Sequence, residues 1–225
     1  LLGMPVAFAI GLSGFSFFMM AELPMTILVQ KSISASQSFT MLAIPLFVLA
    51  GNLMNGGGVT TRIFGFAASM IGHRKGGLAH VNVLASLIFS GMSGSAVADA
   101  GGLGQIEIDA MKEQGFDADF SAGVTAASAT IGPIIPPSIP MVVYGMMSGV
   151  SVGALFIGGV VPGLVLALAT SILVFAMAKK RNYPVTPFDG KEALISTKES
   201  LLSLTTPVII IGGIWSGVFS PTEAA

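Results

Sequence analysis

Residues 86–104 read Ser-Leu-Ile-Phe-Ser-Gly-Met-Ser-Gly-Ser-Ala-Val-Ala-Asp-Ala-Gly-Gly-Leu-Gly, an apolar run dissolving into small and polar residues. Farther on, residues 131–140 read Ile-Gly-Pro-Ile-Ile-Pro-Pro-Ser-Ile-Pro, a helix-breaking stretch also set in apolar sequence. Within a bilayer, backbone that leaves a helix must be buried in protein or line a water-filled cavity. Two such interruptions at membrane depth point to a site for a solute or an ion, and so to a transporter.

Composition identifies the solvent. Apolar residues make up 53% of the 225-residue chain and charged residues 9%, against about a quarter charged in soluble domains. The mean hydropathy of +0.87 agrees. The 29 glycines and 12 prolines are tolerated in membrane helices, where neighbours satisfy the freed backbone groups. A net charge of −1 offers no basic stripe for nucleic acid. Without cysteine there is no disulfide framework, thiolate nucleophile or zinc–thiolate site. The chain opens Leu-Leu-Gly-Met and closes Pro-Thr-Glu-Ala-Ala, and we expect it to be part of a longer membrane protein.

Spanning helices need roughly 20 mostly apolar residues. The candidates are Leu1–Met20, Thr40–Asn55, Ser121–Gly149 with its proline-rich break, Gly153–Ala178 and Thr205–Phe219. Val59–Met70 and Lys191–Leu204 mix apolar and polar positions and are expected to be interfacial or cytosolic. In the region 77–114, Leu78–Ala98 is apolar enough to insert, but the following stretch carries Glu107, Asp109, Lys112 and Glu113. Read as a hairpin that enters and leaves on one side, it places nine of the ten basic residues on one face, with Lys31 opposite. A full crossing would instead separate Arg62, Arg74 and Lys75 from Lys179–Arg181. The bias of Lys and Arg toward the cytoplasm selects the hairpin, its tip pointing into the membrane. Glu107 and Asp109 are then expected on a solvated face near the cytoplasmic mouth.

The tip falls near Ser90–Asp99. Hydroxyls of Ser90, Ser93 and Ser95, with nearby carbonyls, are hard oxygen donors suited to a small hard cation. Gly91 and Gly94 allow the backbone to turn its polar groups inward. Close packing of small residues is the competing explanation for such a string. Asp99 either helps hold a cation or caps the amides that open the second arm. In 131–140, prolines 133, 136, 137 and 140 remove amide donors and free carbonyls from the helix ladder, while Thr130 and Ser138 add hydroxyls. A broken helix beside a re-entrant hairpin is how secondary transporters build midplane sites.

Two other functional classes fit the sequence less well. Gly91-Met-Ser93-Gly94 matches a short string of intramembrane serine proteases, which need a base bonded to the serine. The two histidines, His73 and His80, precede it, so no enzyme is expected. A channel suits a continuous pore better than paired breaks. The glycine clusters at 56–58, 76–77 and 158–159 lack the Lys-Ser/Thr of a phosphate loop and read as turns or tight packing. Pro162 and Pro207 read as kinks.

The blocks Leu53–Gly58, Gly76–Asn82, Phe89–Gly102, Ile131–Ser138 and Phe219–Ala225 together resemble the large membrane (M or DctM-type) subunit of TRAP transporters, the tripartite ATP-independent periplasmic transporters. Gly101–Ile108 is most similar to the sialic-acid type; the C4-dicarboxylate branch stays open. The resemblance implies an all-α polytopic protein of the bacterial inner membrane, the first half of an inverted-repeat, elevator-type transporter. Residues 1–76 would be scaffold helices with a connecting amphipathic segment, and 77–149 transport-domain elements comprising the re-entrant hairpin 77–114 and the broken helix 121–149. Residues 150–225 would add helices and a cytoplasmic amphipathic segment, 185–204, ending before the second repeat. It further implies import of an organic anion, sialic acid or a similar carboxylate, driven by Na+. The expected partners are a small (Q-type) membrane subunit and a periplasmic substrate-binding protein. Carried over by position, sodium would be held by Ser90, Ser93, Gly94, Ser95, Asp99, Gly132, Ile135, Pro136 and Ser138, and the substrate would meet Ser93, Ser95 and Pro137. No Lys or Arg lies at either break, so the anion's positive field would come from half-helix amides, bound sodium or an arginine of the other half.

Overall fold

A computed structural model describes residues 3–181, 183 and 190–224. The described residues form helices and no strand: α1 (Val6–Met20), α2 (Met25–Ser36), α3 (Ala43–Gly56), α4 (Val59–Ile71), α5 (Gly77–Ser93), α6 (Ala96–Ala98), α7 (Gly104–Glu113), α8 (Ala118–Ala129), α9 (Ile139–Ser148), α10 (Val152–Arg181) and α11 (Gly190–Trp215). A 3₁₀ turn, Phe39–Leu42, leads into α3, and a π-helical turn, Asp99–Leu103, joins α6 to α7. Three helical stretches are long and apolar enough to cross a membrane: Phe39–Gly56, Val152–Arg181 and Ala193–Trp215.

The apolar pattern on α10 is that of a helix in lipid. Its buried stripe is Phe156, Gly159, Gly163, Ala167, Thr170, Val174 and Ala178, small residues for the most part. Leu164, Val165, Leu168, Ile172 and Leu173 face outward instead. Lipid is as apolar as leucine, so helices associate through close small-residue packing rather than by hiding aliphatics. Gly159 and Gly163 exist for a particular neighbour. A Cβ on Gly159 would strike the Ile134 carbonyl, and one on Gly163 would strike the Ile135 side chain. The groove on α10 therefore seats the proline-rich segment.

α5 turns back at Gly94 and Ser95, and its second arm, α6 through α7, returns alongside it and α8. The two arms share a core that includes Val81, Ala85, Phe89, Leu103 and Met111, closed by Phe120 and Val124 of α8. A smaller core joins Phe47 of α3, Val142 of α9, Phe156 of α10 and Ile214 of α11. The expected break in 121–149 is present: α8 stops at Ala129 and α9 starts at Ile139.

α4 packs between α5 and α11 and buries Thr60, Ile63 and Ala67. Two expectations are corrected. Lys191–Leu204 and Thr205–Trp215 are not separate elements but parts of one helix, α11. Pro207 does not break it, because it has a place to pack: Gly91 of α5, where a Cβ would lie 2.8 Å from the Pro207 Cβ. Ser200 of the same helix donates to the Arg62 carbonyl of α4 at 2.8 Å. α2 is a further helix that the reading by hydropathy did not contain. Residues 185–189 of the expected amphipathic segment, and Leu1 and Leu2 of the first span, lie outside the described residues.

Beyond the apolar segments, the end of α10 is tied to the turn before α8. Asp117 accepts a hydrogen bond from the Tyr183 hydroxyl at 2.8 Å and is ion-paired with Arg181. Tyr183 stacks on Phe116 with 4.2 Å between ring centroids, and the Arg181 guanidinium lies over Phe120. The hydrogen bonds from Tyr183 and Arg181 hold the Asp117 carboxyl below the usual carboxylate range.

Two outcomes follow from this packing. Gly163→Val should overpack the Ile135 seat and lower thermal stability of the complete protein by about 1–3 kcal/mol; an unchanged melting curve contradicts the seat. Because folded Asp117 binds its proton less readily than unfolded aspartate, its contribution is complete above about pH 4 and is lost as pH falls through the depressed value. Amide hydrogen exchange around residues 117–120, corrected for intrinsic rate, should stay constant down to that point and rise below it. Loss of protection near neutral pH would contradict it.

Candidate functional site

α5 ends because Gly94 adopts a left-handed conformation (φ 61°), which costs glycine little and other residues more. Ser95 is extended, and its Oγ accepts from the Ala98 amide at 3.3 Å, capping the second arm. The break repeats this chemistry. Ser138 is extended, its Oγ accepts from the Met141 amide at 3.3 Å, and the same hydroxyl donates to the Pro133 carbonyl. Two serine-capped helix starts and the ends of α5 and α8 are thus brought to one place.

The breaks touch directly. The Ile139 amide donates to the Gly94 carbonyl at 3.3 Å. A Cβ on Gly94 would strike the Pro137 carbonyl, and one on Gly132 would lie 3.2 Å from the Ser95 carbonyl carbon. Both glycines are therefore required by close backbone approach. Among the described residues, no hydrogen bond reaches the carbonyls of Gly132, Ile135, Pro136 or Pro137. Proline removed the donors that a helix would have supplied. The Ser93 Oγ is buried without a partner as well. A patch of unpaired oxygens at a junction of helix ends, with no Lys or Arg beside it, is suited to a small cation.

A cleft of about 360 Å³ opens between α3 and the hairpin tip, lined by Asn52, Asn55, Ser93, Ser95 and Gly102, among others. Thr60 donates to the Asn55 side-chain oxygen at 2.9 Å, which fixes that amide. Gly102 leaves room for it, since a Cβ there would lie 2.7 Å from the Asn55 nitrogen. Pro137 is buried against Gly94 and does not line this cleft. Of the residues expected at a substrate, Ser93 and Ser95 are brought together there.

The remaining expected residues divide. Gly94, Ser95, Gly132 and Ser138 meet at the junction, and Ser93, Ile135 and Pro136 adjoin them in sequence. The Ser90 hydroxyl is spent on its own helix, donating to the Ser86 carbonyl at 2.6 Å. Asp99 caps nothing and is not at the tip. It lies 1% exposed beside Ser86, about two turns down α5 from Ser93. Glu107 is 0% exposed, which corrects the expectation of a solvated side chain, whereas Asp109 is exposed. Asp99, Leu103, Glu107 and Met111 are all buried and recur every four residues, a period that could have revealed Glu107. Asn52 and Asn55, two polar residues three apart on an otherwise apolar helix, were a similar signal that went unused.

Below the tip, Asn82 of α5 donates to Thr125 of α8 at 2.6 Å, Ser128 donates to the Asn82 oxygen at 2.6 Å, and Ser86 donates to Ser128 at 3.1 Å. This buried polar clamp locks the first hairpin arm to the broken helix, so the two interruptions are held by the same pair of elements.

The whole chain, residues 1–225, matches the family described as tripartite ATP-independent periplasmic transporter, DctM component. It is 50% identical to the sialic acid TRAP transporter large permease protein SiaM of Vibrio cholerae, over 99% of this chain and 53% of that protein. It is 49% identical to the sialic acid TRAP transporter permease protein SiaT of Haemophilus influenzae, over 100% of this chain and 37% of that protein. The C4-dicarboxylate TRAP transporter large permease protein DctM of Vibrio cholerae is 43% identical, over 100% of this chain and 50% of that protein. The chain thus spans about half the length, or less, of these relatives. Family, helical architecture and apolar spans agree, and the protease alternative has no support in them: the chain belongs to the DctM component family of TRAP transporters.

Proposed function

We propose that this chain forms the first half of a sodium-driven importer of an organic anion, with sialic acid as the favoured substrate class. The observation that carries the reading is the junction itself. Two interrupted helical elements meet through the Gly94–Ile139 hydrogen bond, and the segments that meet carry carbonyls without hydrogen-bond partners and the buried, unpartnered Ser93 hydroxyl. In this reading sodium is bound by oxygens of Ser93, Gly94, Ser95, Gly132, Ile135, Pro136 and Ser138. The anion enters the adjoining cleft, where Ser93 and Ser95 belong to both sites. Sharing residues makes the coupling reciprocal: each solute strengthens binding of the other by the same factor.

The hairpin would be re-entrant from the cytoplasmic side of the bacterial inner membrane, and would travel with α8 and α9 as one body against a scaffold. A second, inverted repeat in the complete protein supplies the rest of the substrate site. A small membrane subunit and a periplasmic binding protein complete the transporter. The sialic-acid reading rests on 50% and 49% identity to relatives bearing that name. A C4-dicarboxylate substrate is the second reading, on 43% identity to a relative so named.

Uptake of radiolabelled sialic acid into proteoliposomes holding the complete transporter, with its binding protein outside, should require an inward sodium gradient. Succinate uptake under those conditions would favour the second reading. In the same assay Ser93→Ala should raise the sodium concentration for half-maximal uptake roughly three- to tenfold, the worth of one oxygen contact of about 1 kcal/mol. An unchanged sodium dependence would remove Ser93 from the site.

A further inference from the structure

The cleft at the hairpin tip is walled on one side by the end of α3, where the local structure orients one side chain. α3 stops at Gly56, and Gly58, left-handed at φ 75°, turns the chain straight into α4. Thr60 in the first turn of α4 is thereby set against Asn55 in the last turn of α3. Thr60 is buried, and its hydroxyl donates to the Asn55 side-chain oxygen at 2.9 Å. Gly51 and Asn55, four residues apart, share one face of α3.

That face meets the hairpin twice. A Cβ on Gly51 would lie 3.6 Å from the Ser93 Cβ, and the Asn55 nitrogen occupies the room that a side chain on Gly102 would need. Gly51, Asn55, Ser93 and Gly102 all line the cleft of about 360 Å³, a volume in the range of small-molecule sites. None of the described residues that line it carries a charge. An anion held there by this chain must therefore be met by neutral donors. A side-chain amide offers one acceptor oxygen and two N–H donors. Thr60 occupies the oxygen of Asn55, which leaves the cleft its exposed NH₂ group, without a hydrogen-bond partner among the described residues. Asn52 lines the cleft too, but no hydrogen bond fixes which end of its amide faces inward.

A donor that is already held in place gives up little rotamer freedom when a ligand arrives. We propose that Asn55, oriented by Thr60, is a specificity-determining residue of the cleft, its side-chain NH₂ donating to a carboxylate oxygen of the transported anion. The inference rests on the reading of this cleft as the substrate site. Thr60 touches no substrate. It is a positioning residue: by engaging the amide oxygen it keeps that partial negative charge away from the anion and turns the donors toward it.

The test is equilibrium binding of radiolabelled sialic acid, and separately of succinate, to the complete purified transporter in saturating sodium. Asn55→Asp keeps an oxygen for Thr60 and changes only the donor group, into an acceptor facing an anion. It should weaken binding of the solute that wild type takes by more than about tenfold, and Asn55→Ala by roughly five- to tenfold, the worth of one hydrogen bond. Thr60→Val should weaken binding roughly two- to fivefold, Thr60→Ser should restore it, and Thr60→Val should add nothing in an Asn55→Ala background. Asn55 is exposed, so its variants should melt with wild type, and their sodium binding without the anion should be unaltered. Wild-type solute affinity in both Asn55 variants would overturn the inference while the sodium-driven reading stands. So would a loss of solute affinity matched by a loss of sodium affinity without the anion, since Asn55 would then act through the ion. A wild type that binds neither solute would overturn the reading of the cleft and this inference with it.

Discussion

The structure depends on one backbone contact: the amide of Ile139 reaching the carbonyl of Gly94 across two chain interruptions. Each interruption alone would leave backbone groups without partners, which hydrocarbon penalises by several kcal/mol per group. Set against each other they satisfy part of that need, and what remains unpaired is gathered at one place. Four glycines serve the approach. Gly94 makes way for Pro137, Gly132 for Ser95, and Gly159 and Gly163 of α10 for the Ile134–Ile135 segment. The clamp of Asn82, Thr125 and Ser128 fixes the same two elements lower down.

Much of this was legible in the sequence because membrane-depth interruptions are chemically conspicuous. Four prolines between 133 and 140 left no way to continue a helix, and Ser-Gly-Ser between apolar runs marked the turn. What failed did so for identifiable reasons. Glu107 was judged with its charged neighbours as a block, when its position was set by a four-residue period shared with Asp99, Leu103 and Met111. The stretches 191–204 and 205–219 were separated on hydropathy, but α11 runs through both as far as Trp215, with Pro207 inside it packed at Gly91. Such errors come from neighbours distant in sequence.

Membership of the DctM component family is established over the full length of the chain, yet the chain spans about half of each relative or less. The part described here nonetheless contains packed contacts among the hairpin, the broken helix and the α10 groove that seats it. If the junction holds a cation as proposed, its geometry would be set by helix packing rather than by flexible side chains. The adjoining cleft is lined by Ser93 and Ser95 of the tip and by Asn52 and Asn55 of α3, so under that proposal ion and solute would share the two serines. That placement, not any single strong ligand, would couple the two.

The most direct measurement is sodium binding to the complete transporter and to a Gly94→Val variant, by calorimetric titration in a potassium background, with thermal melting to show that both are folded. The valine would push the tip off Pro137 and part the two breaks. The account predicts a folded variant that binds one sodium ion fewer than wild type. An unaltered number of bound ions with unaltered affinity would contradict a cation site built where the breaks meet.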